Sequence, residues 1–118
     1  MKLVILRLSS PDLQPEVEGM PEDLQDFAVD VEVMLAPEGK EGDDVSFSFS
    51  VMSRSALARK ATGAFIQNTL VLAEFSWGEI RRHIERLLMQ AHSCTTWECV
   101  TFRFAPYMRP LGVTFNAL

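Results

Sequence analysis

His92, Cys94 and Cys99 form the one tight group of side chains in this 118-residue sequence that resembles a set of metal ligands. Structural zinc sites take four nitrogen or sulfur ligands, usually as two closely spaced pairs. The sequence has no other cysteine, and its second histidine, His83, lies nine residues before His92. We therefore expect no metal site. In a reducing cytosol the two cysteines are expected to be free thiols, although a disulfide between them is sterically conceivable.

Two pairs of adjacent carboxylates, Glu22 with Asp23 and Asp43 with Asp44, are the candidates for acid–base chemistry. A general acid and a general base must converge on one substrate, and neighbouring residues in loops seldom do so. The sequence also lacks a Gly-x-Ser-x-Gly elbow, a His-Glu-x-x-His motif and a dinucleotide fingerprint. Nothing in these residues favours an enzyme.

The glycine-rich acidic segment around Gly39 and Gly42 has the composition of a ligand loop but the spacing of a turn. A phosphate loop would have Gly-x-x-x-x-Gly-Lys-Ser/Thr leading into a helix, and an EF-hand would have regularly spaced carboxylates. Here a strand pattern follows the glycines. The segment is therefore predicted to be the turn of a hairpin, where glycine supplies left-handed backbone.

Alternating apolar residues flank this turn and predict two antiparallel strands. Their apolar positions are Phe27, Val29, Val31, Val33 and Leu35 in the first strand, and Val45, Phe47, Phe49 and Val51 in the second. The opposite face carries Asp30, Glu32, Ser46, Ser48 and Ser50, and it is expected to meet solvent.

The remaining patterns complete an α+β fold in one domain, residues 1–118. Strands are predicted at about 2–8, 27–35, 45–52 and 69–75, forming an antiparallel sheet, with a short basic helix at 53–63. Ser76 and Glu79 form a capping box before a long amphipathic helix at 77–91, whose apolar stripe should pack on one face of the sheet. That stripe is Ile80, Ile84, Leu87 and Leu88.

The C-terminal segment, residues 97–118, fits two structures. It fits a helix, with Thr95 and Glu98 as a second capping box, and it also fits a strand; "LGVTF" could be a last short strand.

Negative charge is concentrated in the first part of the sequence. Residues 1–44 contain 12 of the 16 Asp and Glu and have a net charge of −9, whereas residues 45–118 have a net charge of +4. This balance argues against a nucleic-acid partner and suits a cationic protein, although it also suits a solvated face that only confers solubility. The candidate partner-binding residues are Asp30, Glu32, Glu41, Asp43 and Asp44.

The first residues, "MKLVILRL", contain only four consecutive apolar residues before Arg7. A secretory signal has a longer apolar region, and a membrane span needs about 20 apolar residues. The sequence is therefore expected to be soluble and cytoplasmic, without a membrane partner.

Several motifs occur in the order found in the immunity protein 8 family of bacterial polymorphic toxin systems, which the sequence resembles over roughly residues 1–101. They are "SSPD" at 9–12, "PEDLQDF" at 21–27, "PEGKEGDDVSFSFSV" at 37–51, "LVLAEFSWGEIRRHIE" at 70–85 and "TTWECV" at 95–100. The resemblance implies a small cytoplasmic inhibitor that binds a toxin domain encoded nearby, with no catalysis and no cofactor. The alternative is a small enzyme or ligand-binding domain without a familiar motif; the gene immediately upstream would distinguish the two.

Overall fold

The first three strands lie side by side in the computed structural model, which describes residues 1–60, 63 and 65–112. These are β1 (Leu3–Ser9), β2 (Ala28–Pro37) and β3 (Val45–Met52), and they pair antiparallel in chain order. In the predicted hairpin, Val33 lies opposite Phe47. Its turn contains Gly39 with φ of +79°, the left-handed backbone that favours glycine. The hairpin prediction is confirmed.

The other side of β3 pairs with two short strands placed end to end. β4 (Thr69–Val71) runs parallel to the last residues of β3, and β5 (Arg109–Pro110) runs antiparallel near its middle. The predicted strand at 69–75 is thus shorter than expected, and its pairing is parallel. The parallel pairing follows from helix α1 (Arg54–Lys60), which lies between β3 and β4. A connection that contains a helix can return the chain to the same end of the sheet, so that the next strand runs parallel.

The long helix covers one face of the sheet. Helix α2 (Trp77–Leu88) continues into a 3-10 turn at Met89–Ala91. The hydroxyl of Ser76 accepts a hydrogen bond from the backbone nitrogen of Glu79 at 3.2 Å, as the capping pattern predicted. Ile80, Ile84 and Leu88 are buried, whereas Leu87 is only half-buried. The predicted α+β class, with its helix on one face, is confirmed.

The ambiguous segment after residue 96 is a helix followed by β5. Helix α3 (Trp97–Phe104) begins with Thr96 as its N-cap, whose hydroxyl accepts from the backbone nitrogen of Cys99 at 3.2 Å. The predicted capping residue, Thr95, is therefore one position too early. Of the predicted last strand "LGVTF", residues 113–115 lie outside the described residues.

The core lies between the sheet and helices α2 and α3. Val31 and Phe47 are fully buried, as the alternation predicted. The Phe47 ring lies 5.8 Å from that of Phe104 and 6.5 Å from that of Trp97, measured between centroids. Among the helices of the described ranges, none combines the length and the apolar character that crossing a bilayer would require.

Candidate functional site

The five predicted partner-binding residues fall into two separate groups. Asp30 and Glu32 lie on β2, whereas Glu41, Asp43 and Asp44 lie in the loop between β2 and β3. All are exposed except Glu32, which is half-buried. Asp30 lies seven positions before Pro37, the last residue of β2, and a strand rises about 3.3 Å per residue, so Asp30 is roughly 23 Å from the loop along the hairpin. The structure does not bring these residues into one site.

The serine-bearing face of β3 is only partly exposed. Ser50 donates a hydrogen bond to the carboxylate of Asp30 at 3.0 Å, and both side chains are accessible. Ser48, however, is buried with 8% exposure, because β5 pairs beside it and Arg109 contacts its hydroxyl at 3.4 Å. The expectation that all of this face meets solvent is therefore wrong at Ser48.

Several carboxylates that were not among the predicted partner-binding residues lie beside the start of β2, and they include the acid–base candidates Glu22 and Asp23. Asp12, Glu22, Asp23 and Asp26 line an open depression of about 560 Å³ beside the start of β2. The backbone nitrogen of Asp30 donates to the carboxylate of Asp12 at 2.7 Å, which places Asp30 at the margin of this acidic depression. The signal in the sequence was the density of carboxylates between residues 12 and 30.

The loop that supplies these carboxylates is fixed to the sheet by side chains. Beyond the end of β1, the hydroxyl of Ser10 donates to the backbone oxygen of Asp30. The carboxylate of Asp12 accepts a hydrogen bond from the backbone nitrogen of Asp30. Two side chains thus take the place of a pairing strand, which gives the "SSPD" motif a structural role. Farther along the loop, the indole of Trp77 donates to the backbone oxygen of Gly19 at 2.7 Å.

One carboxylate of the depression, that of Asp26, forms a salt bridge with Arg59. The guanidinium of Arg59 lies 2.8 Å from the carboxylate of Asp26, and Ser55 donates to the same carboxylate at 2.9 Å. These hydrogen bonds hold the pKa of Asp26 below its usual value. Because Arg59 offsets the charge of Asp26, the net negative charge at the depression comes mainly from Asp12, Glu22 and Asp23, with Asp30 at its margin.

The two candidate sulfur ligands are joined to each other. Cys94 and Cys99 form a disulfide with 5.6 Å between their Cα atoms, so the expectation of free thiols is wrong for this structure. The reason is local: α3 begins at Trp97, and its first turn carries Cys99 back toward Cys94. Disulfide-bonded sulfurs are not thiolates and cannot bind zinc as such. The absence of a metal requirement stays a prediction.

Reduction of this disulfide should destabilise the protein moderately. A cross-link that closes a loop of only six residues removes little entropy from the unfolded chain, so we expect a loss of about 2 kcal/mol. Urea denaturation with and without dithiothreitol measures this loss. In a Cys99→Ala variant, dithiothreitol should not change the unfolding free energy; an equal change there would mean that the disulfide is not its cause.

The sequence is similar to a known protein family over most of its length. The family described as Immunity protein 8 matches residues 4–108 of the chain, from β1 through the whole sheet core to the residue before β5. No curated protein and no solved structure matches the chain. Since the match covers most of the sequence, the chain belongs to the immunity protein 8 family.

Proposed function

We propose that this protein binds and neutralises a cognate bacterial toxin domain encoded nearby, acting in the cytoplasm and without catalysis or cofactor. The observation that carries the proposal is the family match over residues 4–108. An inhibitor of this kind works by surface complementarity alone. Its partner is a protein, and neither a nucleic acid nor a membrane is required.

The distribution of charge supports a cationic partner surface. The acidic depression and the neighbouring Asp30 and Glu32 provide one negative region, and the loop with Glu41, Asp43 and Asp44 provides another. Opposite charges on two proteins accelerate their encounter and select against wrong partners. We infer that these residues act mainly on the rate of association.

A cytoplasmic site of action has a consequence for the disulfide. Glutathione and thioredoxin keep most cytosolic thiols reduced, so the protein must act with Cys94 and Cys99 reduced. The disulfide lies at the start of α3, and neither cysteine lines the acidic depression. Contacts of the toxin with the depression are therefore expected to be independent of the redox state of the two cysteines.

The function is tested with the gene immediately upstream. Its C-terminal domain is expressed in a bacterial host from an inducible promoter, with and without the present protein. We expect the domain alone to stop growth, co-expression to restore it, and the two proteins to purify as one complex. A product that leaves growth unaffected, or that arrests growth equally in both strains, would contradict the proposal.

A further inference from the structure

An apolar groove of about 270 Å³ opens between the edge strand β4 and helix α2. Its floor consists of core residues, Phe49, Ile84 and Met108, which are buried with 7% exposure or less. Leu70 and Leu87, both half-buried, form its walls. At this groove the helix does not cover the sheet completely, so buried core side chains form the floor of an opening in the surface.

Hydrogen bonds join the two chain segments that border the groove at one end. The side-chain amide of Asn68, just before β4, donates to the backbone oxygen of Ala105 at 2.9 Å. The backbone nitrogen of Asn68 donates to the backbone oxygen of Pro106 at 3.3 Å. The backbone nitrogen of Met108 donates to the oxygen of Phe104 at 2.9 Å. These contacts place the exposed ring of Tyr107 at the groove. The cavity is therefore preformed, which lowers the entropic cost of filling it.

The rim of the groove is positively charged or polar. Arg86 and His83 line it from α2. Elsewhere on the same helix, Arg81 lies 3.7 Å from Glu85, and Arg82 pairs with Glu79. Within the described part of the chain, Arg86 has no carboxylate within 4.0 Å. A partner atom of negative charge would complement it.

We propose that this groove receives one large apolar side chain of the toxin domain, next to a carboxylate that pairs with Arg86. The inference rests on the proposed function and deepens it. The groove lies just below the range of about 300–1,000 Å³ that is usual for sites of drug-sized molecules, and this size suits a single large side chain. The guanidinium of Arg86 favours an acidic neighbour for that side chain.

Such an anchor has a different kinetic role from the acidic regions. Large side chains that fill a desolvated pocket contribute most of the binding energy of an interface. Their loss acts on dissociation, whereas long-range charge acts on association. The groove should therefore determine how long the complex lasts.

The test measures dissociation of the complex with the toxin domain immobilised on a sensor surface. Leu87→Trp fills the groove, and Arg86→Glu reverses its rim charge. We expect Leu87→Trp to raise the dissociation rate constant about tenfold or more, and Arg86→Glu about fivefold. Met89→Trp and Arg103→Glu are matched controls, because both residues are exposed and neither lines the groove; they should dissociate like the wild type.

The outcomes separate this inference from the proposed function. If folded Leu87→Trp and Arg86→Glu proteins both dissociate at the wild-type rate, the groove is not the anchor site, although the wild type still neutralises the toxin. If the wild type itself neither binds nor protects, the proposed function fails. If the wild type is a dimer by light scattering and Leu87→Trp is a monomer, a second copy of this chain occupies the groove and the inference is overturned.

Discussion

Replacing Phe47 with alanine should lower the free energy of unfolding by about 3–5 kcal/mol. Phe47 is fully buried. Its strand pairs on both sides, with Val33 of β2 and with Pro110 of β5. The substitution would leave a cavity where the rings of Phe104 and Trp97 now meet it, and neighbouring strands prevent the backbone from closing that cavity. Urea denaturation followed by circular dichroism measures the loss.

Phe102 provides the matched control for this substitution. It belongs to α3 and is 80% exposed, so the same loss of a phenyl ring should change stability by within about 0.5 kcal/mol. Equal losses at Phe47 and Phe102 would contradict the placement of the core between β3 and α3.

Reversing Asp30, Glu32, Glu41, Asp43 and Asp44 to lysine together should slow association with the toxin domain by about tenfold or more at low salt. The expected cause is the loss of long-range attraction for a cationic surface. Screening extends over about 10 Å at 0.1 M salt, so the difference from the wild type should shrink as salt is raised. Stopped-flow mixing at low and high salt gives the association rate constants.

Because the five residues form two groups, two partial variants assign the effect. Asp30→Lys with Glu32→Lys alters the region beside the acidic depression, and Glu41→Lys with Asp43→Lys and Asp44→Lys alters the loop. A triple reversal of Glu74, Glu85 and Glu98, which are exposed and lie outside both regions, matches the loop variant in net charge. If this control slows association as much as the loop variant, only total charge matters. If the five-residue variant associates at the wild-type rate at low salt, the acidic residues do not steer binding.

The sequence predicted the elements whose signal is local. The alternation in β2 and β3 identified the strands and their buried residues, and the pattern from Ser76 to Leu88 identified α2 with its cap. The parallel pairing of β4 was missed, although a helix had been predicted between residues 53 and 63. A helix between neighbouring strands favours a parallel arrangement, so the parallel pairing of β4 could have been predicted from the sequence.

The candidate site was harder to predict because it depends on distant contacts. Charge counted along the chain could not separate Asp30 from Asp44, which are close in sequence but lie at different ends of the hairpin. A charge count also could not predict that Asp12 and Asp30, which are 18 positions apart, are in contact through a hydrogen bond. The disulfide depended on where α3 begins, and the sequence left residues 97–118 open between helix and strand.

The contacts of Ser10 and Asp12 with the backbone of Asp30 restrict how a partner can approach β2. An unpaired strand edge offers backbone donors and acceptors to which another protein can add a strand. Past the end of β1, both backbone groups of Asp30 are already occupied by these two side chains. A toxin that binds at Asp30 therefore cannot extend the sheet there and must recognise its side chains. The same occupied edge prevents two copies of this chain from joining strand to strand at Asp30, which protects the protein from aggregation through this part of β2.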